Sequence, residues 1–122
     1  MLKILLSYFL SLLLLASAVA HIFMPEFYSA LIPDFIPELL ANILSALAEA
    51  VIGIALLLKP YRHYGALGFS LLMIGFLPVH IWDLVREQSA LGPSPTPEIR
   101  LVVQFFLIYL GWWLYKHFKA EV

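Results

Sequence analysis

Four long apolar stretches are the feature of this sequence that most restricts its fold. They cover residues 4–21, 39–58, 65–83 and 99–116, and none alternates as an outer-membrane barrel strand does. An α-helix needs about 20 residues, each rising ~1.5 Å, to cross a hydrocarbon layer of ~30 Å. Lipid also forces the backbone groups of a span to bond within the segment. The sequence therefore predicts an all-α fold, in which one domain of 122 residues forms an integral membrane four-helix bundle.

Composition supports this prediction and excludes other classes of protein. Apolar residues make up 63% of the chain, charged residues make up 12%, and the formal net charge is −1. A disordered chain needs low hydrophobicity and a nucleic-acid-binding protein needs a surplus of Lys and Arg, so both classes are excluded. The chain has no cysteine, which excludes disulfide bonds, thiolate metal sites and iron–sulfur clusters built by this chain alone.

The basic residues predict the orientation of the chain. Five of the seven lie at the termini or in the short second loop: Lys3, Lys59, Arg62, Lys116 and Lys119. The other two loops hold only Arg86 and Arg100. Short cytoplasmic loops carry an excess of Lys and Arg, so both termini are expected in the cytoplasm of a bacterial-type inner membrane. The spans then run up and down in antiparallel order, and the two long loops face outward.

The first outer loop is too apolar to extend into water and too rich in proline to span the membrane. We expect a short interfacial helix there, at about residues 26–31, that covers the mouth of the bundle. The proline-rich second outer loop, residues 92–97, is expected to be stiff and extended. The outer loops also carry the acidic residues Glu26, Asp34, Glu38, Asp83, Glu87 and Glu98.

The first span also has the pattern of a cleavable signal peptide. Lys3 precedes an apolar run that ends in the small residues Ala16-Ser17-Ala18. We expect the segment to be retained as a helix, because the chain continues from Ala20 directly into polar residues that have the character of a site.

Glu49 is the most informative residue, because it lies close to the middle of the second span. An ionisable group at mid-bilayer costs at least ~2.5 kcal/mol. Asn42, Ser45 and Gly53 share its helix face at spacings of three and four residues, so Glu49 is expected to point into the bundle. Two interpretations stay open: a group that binds a ligand or a proton, or a neutral carboxyl that only hydrogen-bonds a neighbouring helix.

Other polar residues are expected to join Glu49 in one pocket that opens outward. They come from the outer halves of the other spans, and His80 follows Pro78, which should loosen its helix turn. The candidate ligand-binding residues are Glu49, His21, His80, Gln104, Asn42 and Asp83. Each also has a structural interpretation, as an interfacial or solvated residue or as an interhelical hydrogen bond.

The remaining polar residues in and near the spans are assigned to surfaces. Arg100 is expected to extend to the outer headgroups. His63, in the cytoplasmic turn, and His117, beyond the fourth span, are expected at the surface. Two histidines on different helices can ligate a haem iron between them, and His21, His80 and Glu49 could hold a non-haem metal. Both are less favoured than an organic ligand, and no resident metal is predicted.

Several segments together resemble the DoxX family of small four-helix membrane proteins. The resemblance starts at Ala18-Val19-Ala20-His21-Ile22-Phe23 followed by Pro25, and continues through Ile32-Pro33-Asp34-Phe35-Ile36-Pro37. It is closest from Ala48 to Pro60, and it also covers Gly65-Ala66-Leu67-Gly68 and Phe76-Leu77-Pro78-Val79-His80. Family members often carry an asparagine where this chain has His80. The resemblance implies a four-helix bundle with Glu49 and His21 as its polar centre, and an association with membrane redox chemistry.

These observations leave three hypotheses for function. The first is an accessory or quinone-associated subunit of a membrane oxidoreductase, with His21, Glu49 and His80 around the quinone head and a partner subunit that supplies the electrons. The second is a protein that binds or transports a small apolar ligand or lipid without catalysis, for which a homodimer would be needed if it transports. The third is a structural assembly factor, in which Glu49 is only a clamp.

Overall fold

A computed structural model describes residues 1–86 and 89–122 of the chain. Glu87, which the sequence placed among the outer acidic residues, lies outside the described residues, as does Gln88. Within the described ranges the chain is all-α and contains no strand. Four long helices, α1 to α4, cover Leu2–Phe23, Glu38–Leu57, Arg62–Val85 and Thr96–Lys119. All four are long and apolar enough to cross a membrane, and their ends lie within a few residues of the predicted spans.

The turn between α2 and α3 is closed by a buried arginine. Pro60 lacks a backbone N–H and sits in a 3₁₀ turn, Lys59–Tyr61, that ends α2. The side chain of Arg62 donates to the carbonyl oxygens of Leu56 and Leu57 at 3.0 and 3.1 Å. The last carbonyls of a helix have no partner within the helix, so Arg62 supplies the missing donors at the end of α2.

His63 corrects one expectation from the sequence. It was expected at the surface, but α3 already begins at Arg62, so His63 lies in the first turn of the helix and is only 7% exposed. Its ring packs against that of Tyr64 with centroids 4.0 Å apart. His117 is exposed, as expected, and its Nδ1 lies 2.8 Å from the carbonyl oxygen of Trp113.

Serine side chains connect the helices in pairs. Ser7 and Ser11 of α1 donate to the carbonyl oxygens of Leu56 and Gly53 of α2 at 2.8 and 2.6 Å. Ser70 of α3 donates to that of Ile108 of α4 at 2.8 Å. The apolar core lies between the helices and consists of Leu10, Leu14, Leu56, Ala66, Phe69, Met73, Leu114 and Phe118.

The outer surface of the helices is largely apolar, whereas several polar side chains are buried. Leu12, Val51 and Phe106 are among the exposed large residues, while Ser11 and Gln104 are fully buried. This inverts the distribution of a water-soluble protein, and it is the distribution that suits contact with lipid.

The segment between α1 and α2 folds over one end of the helices. It contains two 3₁₀ turns, Pro25–Phe27 and Ser29–Leu31, at the position where a short helix was expected. We call residues 25–36 the lid. Tyr28, Leu31 and Ile36 of the lid line the interior of the protein, so this loop forms part of an internal wall.

Gly111 sets the distance between α3 and α4. A Cβ at this position would lie 2.9 Å from the backbone nitrogen of Ser70. We therefore expect Gly111→Ala to lower the free energy of unfolding by about 1–3 kcal/mol, as overpacked sites do. Gly75, in mid-α3, is the control, since a Cβ there meets nothing within 4 Å. Gly75→Ala should leave stability unchanged or raise it by up to ~1 kcal/mol. Unfolding in detergent measures the stability of both variants. Equal effects of Gly111→Ala and Gly75→Ala would contradict the role of Gly111 in the spacing of α3 and α4.

Candidate functional site

A cavity of about 400 Å³ lies between the four helices, beneath the lid. Most of its wall is aliphatic or aromatic, with Leu14, Phe76 and Leu107 contributed by three different helices. Polar side chains also line it: Ser17, His21, Tyr28, Ser45, Glu49, His80 and Arg100. Its size falls in the ~300–1,000 Å³ range of small-molecule sites, which combine apolar walls with a few polar groups in the same way.

The centre of the polar wall is a buried pair formed by α1 and α2. His21 Nε2 lies 3.2 Å from Glu49 Oε1, and the two side chains are only 8% and 3% exposed. The other carboxyl oxygen, Glu49 Oε2, is buried and has no hydrogen-bond partner among the described residues. A buried polar group without a partner is uncommon, and it costs about 1–3 kcal/mol.

Asn42 determines which nitrogen of His21 carries a proton. Asn42 Nδ2 donates to the carbonyl oxygen of Glu38 at 3.0 Å, so its Oδ1 faces His21 Nδ1, at 2.7 Å. Since Oδ1 is an acceptor, Nδ1 must be the donor. The contact between Nε2 and Glu49 then needs one shared proton, whether it sits on the imidazole or on the carboxyl. In both arrangements the pair as a whole is neutral.

The lid holds the pair from above. The ring of Tyr28 stacks on that of His21, with centroids 3.7 Å apart and planes inclined by 18°. The Tyr28 hydroxyl lies 2.9 Å from Ser17 Oγ on α1. Tyr28 therefore fixes the ring plane of His21 and ties the lid to α1 at the same point.

His80 reaches the cavity from α3, two residues after Pro78. Its Nδ1 is buried and has no hydrogen-bond partner in the part of the chain that the structure describes. Pro78 lies inside α3 and has no backbone N–H, so the helix lacks one hydrogen bond in this turn. His80 and Glu49, which both line this cavity, therefore each have a buried polar atom without a partner among the described residues.

Arg100 also lines the cavity, which the sequence did not predict. It is half-buried, and its Nη1 donates to Gln104 Oε1 at 2.8 Å. Gln104 is fully buried and is itself held by α3, because its Nε2 donates to the carbonyl oxygen of Met73 at 2.6 Å. Gln104 lies one turn deeper along α4 than Arg100. The guanidinium is therefore drawn inward, and not outward to the headgroups as expected.

Asp83 is placed outside the cavity wall, although it is 0% exposed. Its Oδ1 lies 2.8 Å from Arg86 Nη2 and accepts from the backbone N–H of Ala90 at 2.7 Å, while its Oδ2 accepts from Ser89 Oγ. Arg86 Nη2 also donates to the carbonyl oxygen of Ala30 in the lid, at 2.7 Å. Asp83 thus connects the end of α3 to both outer loops.

The comparison with protein families identifies the family of this chain. A family model described as a domain of unknown function, DUF8561, matches residues 10–115. The chain belongs to this family. No curated protein and no solved structure matches the chain. The part that matches the DUF8561 model contains the lid and every polar residue of the cavity wall.

The predicted site residues of this DUF8561 chain fall into three groups. Glu49, His21 and His80 line one cavity, as the sequence analysis proposed. Asn42 and Gln104 do not line the cavity. Asn42 contacts and orients His21, and Gln104 contacts and orients Arg100. Asp83 stabilises the loops above. Among the described residues, no group of three His, Cys, Asp or Glu side chains could hold a metal ion.

Proposed function

We propose that this chain is an integral membrane four-helix bundle, with antiparallel helices and cytoplasmic termini, that binds one small amphiphile in its cavity. The ligand's polar head lies against the His21–Glu49 pair, His80 and Arg100, and its apolar part lies along the hydrophobic wall. We propose further that it acts as an accessory, quinone-associated component of a membrane oxidoreductase system. The large exposed apolar surface and the distribution of Lys and Arg support the membrane placement.

One observation carries the binding proposal: Glu49 lines the cavity, and its Oε2 is buried with no hydrogen-bond partner among the described residues. In a purely structural clamp, both oxygens should be satisfied by neighbouring helices, because each orphaned group destabilises the fold. A ligand that donates to this oxygen, either directly or through a water molecule that it holds there, would remove that cost. His80 Nδ1 gives the same argument from a second helix.

The quinone assignment rests on the chemistry of the polar groups and on the resemblance to the DoxX family. A quinone presents carbonyl oxygens that accept hydrogen bonds, and Arg100 is a permanent donor in the wall. The His21–Glu49 pair holds one proton in a position from which it can be exchanged with a ligand. A partner protein would supply the electrons.

A second candidate function is a non-catalytic carrier or binding protein for a lipid-like molecule. The predominantly apolar wall favours it, because such a wall holds any single hydrocarbon chain. Native mass spectrometry of the protein, extracted gently from its own membrane, separates the two functions. A retained quinone together with a redox partner supports the first, and a retained lipid without a partner supports the second.

The binding proposal is tested with decyl-ubiquinone as the probe and the full chain in lipid nanodiscs. We expect Glu49→Gln to weaken binding about tenfold or more, because a hydrogen bond to a charged or proton-sharing group is worth ~1.5–3 kcal/mol. Glu26→Gln is the matched control, since this exposed lid residue makes the same chemical change outside the cavity wall. Calorimetric titration measures both. If the two variants bind equally, Glu49 has no part in binding.

A further inference from the structure

Within residues 1–86 and 89–122, the positive and negative charges around the cavity are unequal in number. The His21–Glu49 pair is neutral as a unit, because Asn42 fixes one proton on Nδ1 and the pair shares one more. Asp83 is engaged by Arg86 above the cavity. Arg100 lines the cavity, and among the described residues its hydrogen-bond partner is the neutral amide of Gln104, while no carboxylate lies within 4.0 Å of it. The cavity therefore carries at least one positive charge that no carboxylate of the described residues compensates.

The position of this charge is built by the fold. A free Arg near a helix end extends to the membrane surface, where its charge is hydrated. Here Gln104, fixed by the Met73 carbonyl, holds the guanidinium one turn towards the interior. His80, with an unpartnered Nδ1, lines the same cavity. Gln104 is thus a positioning residue, and Arg100 and His80 form a donor-rich end of the site.

We infer that the cavity selects single-chain amphiphiles whose head is an anionic carboxylate, and that Arg100 is the residue that determines this selectivity. The inference rests on the proposed binding function and specifies the head group of its ligand. A guanidinium matches a carboxylate in geometry as well as charge, because two parallel N–H groups can donate to its two oxygens. The apolar wall takes the chain. A cavity of about 400 Å³ is too small to enclose a two-chain phospholipid.

The test compares dodecanoate with dodecanol, which have the same chain and differ in the charge of the head. Affinities are measured at neutral pH for the wild type and for Arg100→Gln, with the full chain in nanodiscs. Each probe partitions into the lipid equally in the two samples. The ratio of its affinities for the wild type and for Arg100→Gln therefore reports the contribution of Arg100. We expect Arg100→Gln to weaken dodecanoate about tenfold or more and to leave dodecanol within twofold.

Two further variants keep the result interpretable. Arg100→Lys retains the charge without the planar fork, so it should keep part of the preference for dodecanoate. Lys119→Gln removes a positive charge from an exposed residue at the other end of α4, and it should change neither affinity. A folded Arg100→Lys that binds dodecanoate better than Arg100→Gln supports the inference even if Arg100→Gln is poorly stable.

The outcomes separate this inference from the proposed function. If Arg100→Gln weakens acid and alcohol equally, or if the wild type binds decyl-ubiquinone and ignores dodecanoate, the anionic selectivity is wrong and amphiphile binding stands. If the wild type binds dodecanoate and ignores decyl-ubiquinone, the selectivity stands and the quinone assignment fails. If none of the three probes binds, the proposed function itself is refuted.

Discussion

Replacing His21 by Leu, with Glu49 retained, is expected to lower the free energy of unfolding by about 3–5 kcal/mol, which is typical when one partner of a buried pair is removed. The change leaves both oxygens of Glu49 without a partner among the described residues, since His21 makes the contact to Oε1. It also removes the ring on which Tyr28 of the lid stacks. Thermal or denaturant unfolding in detergent measures the loss.

A double-mutant cycle shows whether the pair is kept for stability or for binding. Replacing both residues, as His21→Leu with Glu49→Met, removes the orphaned carboxyl along with its partner. Buried ion pairs are often replaced by apolar residues at little cost, so the double variant should be more stable than His21→Leu alone. If it recovers stability and still fails to bind amphiphile probes, the pair exists for the ligand. If it is the least stable of the three variants, the pair is a structural clamp.

The four helices could be predicted because hydropathy is a property of each segment by itself. The hydropathy of residues 39–58 predicts a span whatever packs against them. In the structure, α2 covers Glu38–Leu57. The position of Glu49 facing the interior followed from the spacing of Asn42, Ser45 and Gly53, which the helix period alone fixes. For these features, local rules and tertiary structure agree.

The direction of a long side chain could not be predicted, because it depends on a partner in another segment. Arg100 was expected to extend outward, but Gln104 holds it inward, and Gln104 is in turn held by Met73 of α3. The spacing of Arg100 and Gln104, one helical turn apart, is the only signal that the sequence offered. Asp83 is similar, since its partners Ser89 and Ala90 become neighbours only because the chain turns after α3 ends at Val85.

Asp83→Asn is expected to have the second largest effect, and to act on the lid. The variant loses the charge that pairs with Arg86 and one of the acceptors for Ser89 and the Ala90 N–H. Arg86 is then no longer held against the Ala30 carbonyl, which is its link to the lid. Breaking a buried pair from one side costs about 3–5 kcal/mol, and the cost should appear as local opening of the lid and not as global unfolding.

Hydrogen exchange of the lid amides measures this opening directly. We expect exchange at Leu31 and Ile32 to accelerate by two to three orders of magnitude, in line with ~3–4 kcal/mol at ~1.4 kcal/mol per tenfold change, while mid-helix amides of α1 and α3 are unchanged. Asp34→Asn is the matched control, because this exposed lid carboxyl makes the same substitution without the Arg86 contact. Since Tyr28 and Leu31 form part of the cavity wall, an opened lid should also speed the release of a bound amphiphile. A variant that exchanges faster throughout the helices would instead mean that Asp83 stabilises the whole fold. The contacts from Asp83 through Arg86 to Ala30 would then not control opening of the lid separately.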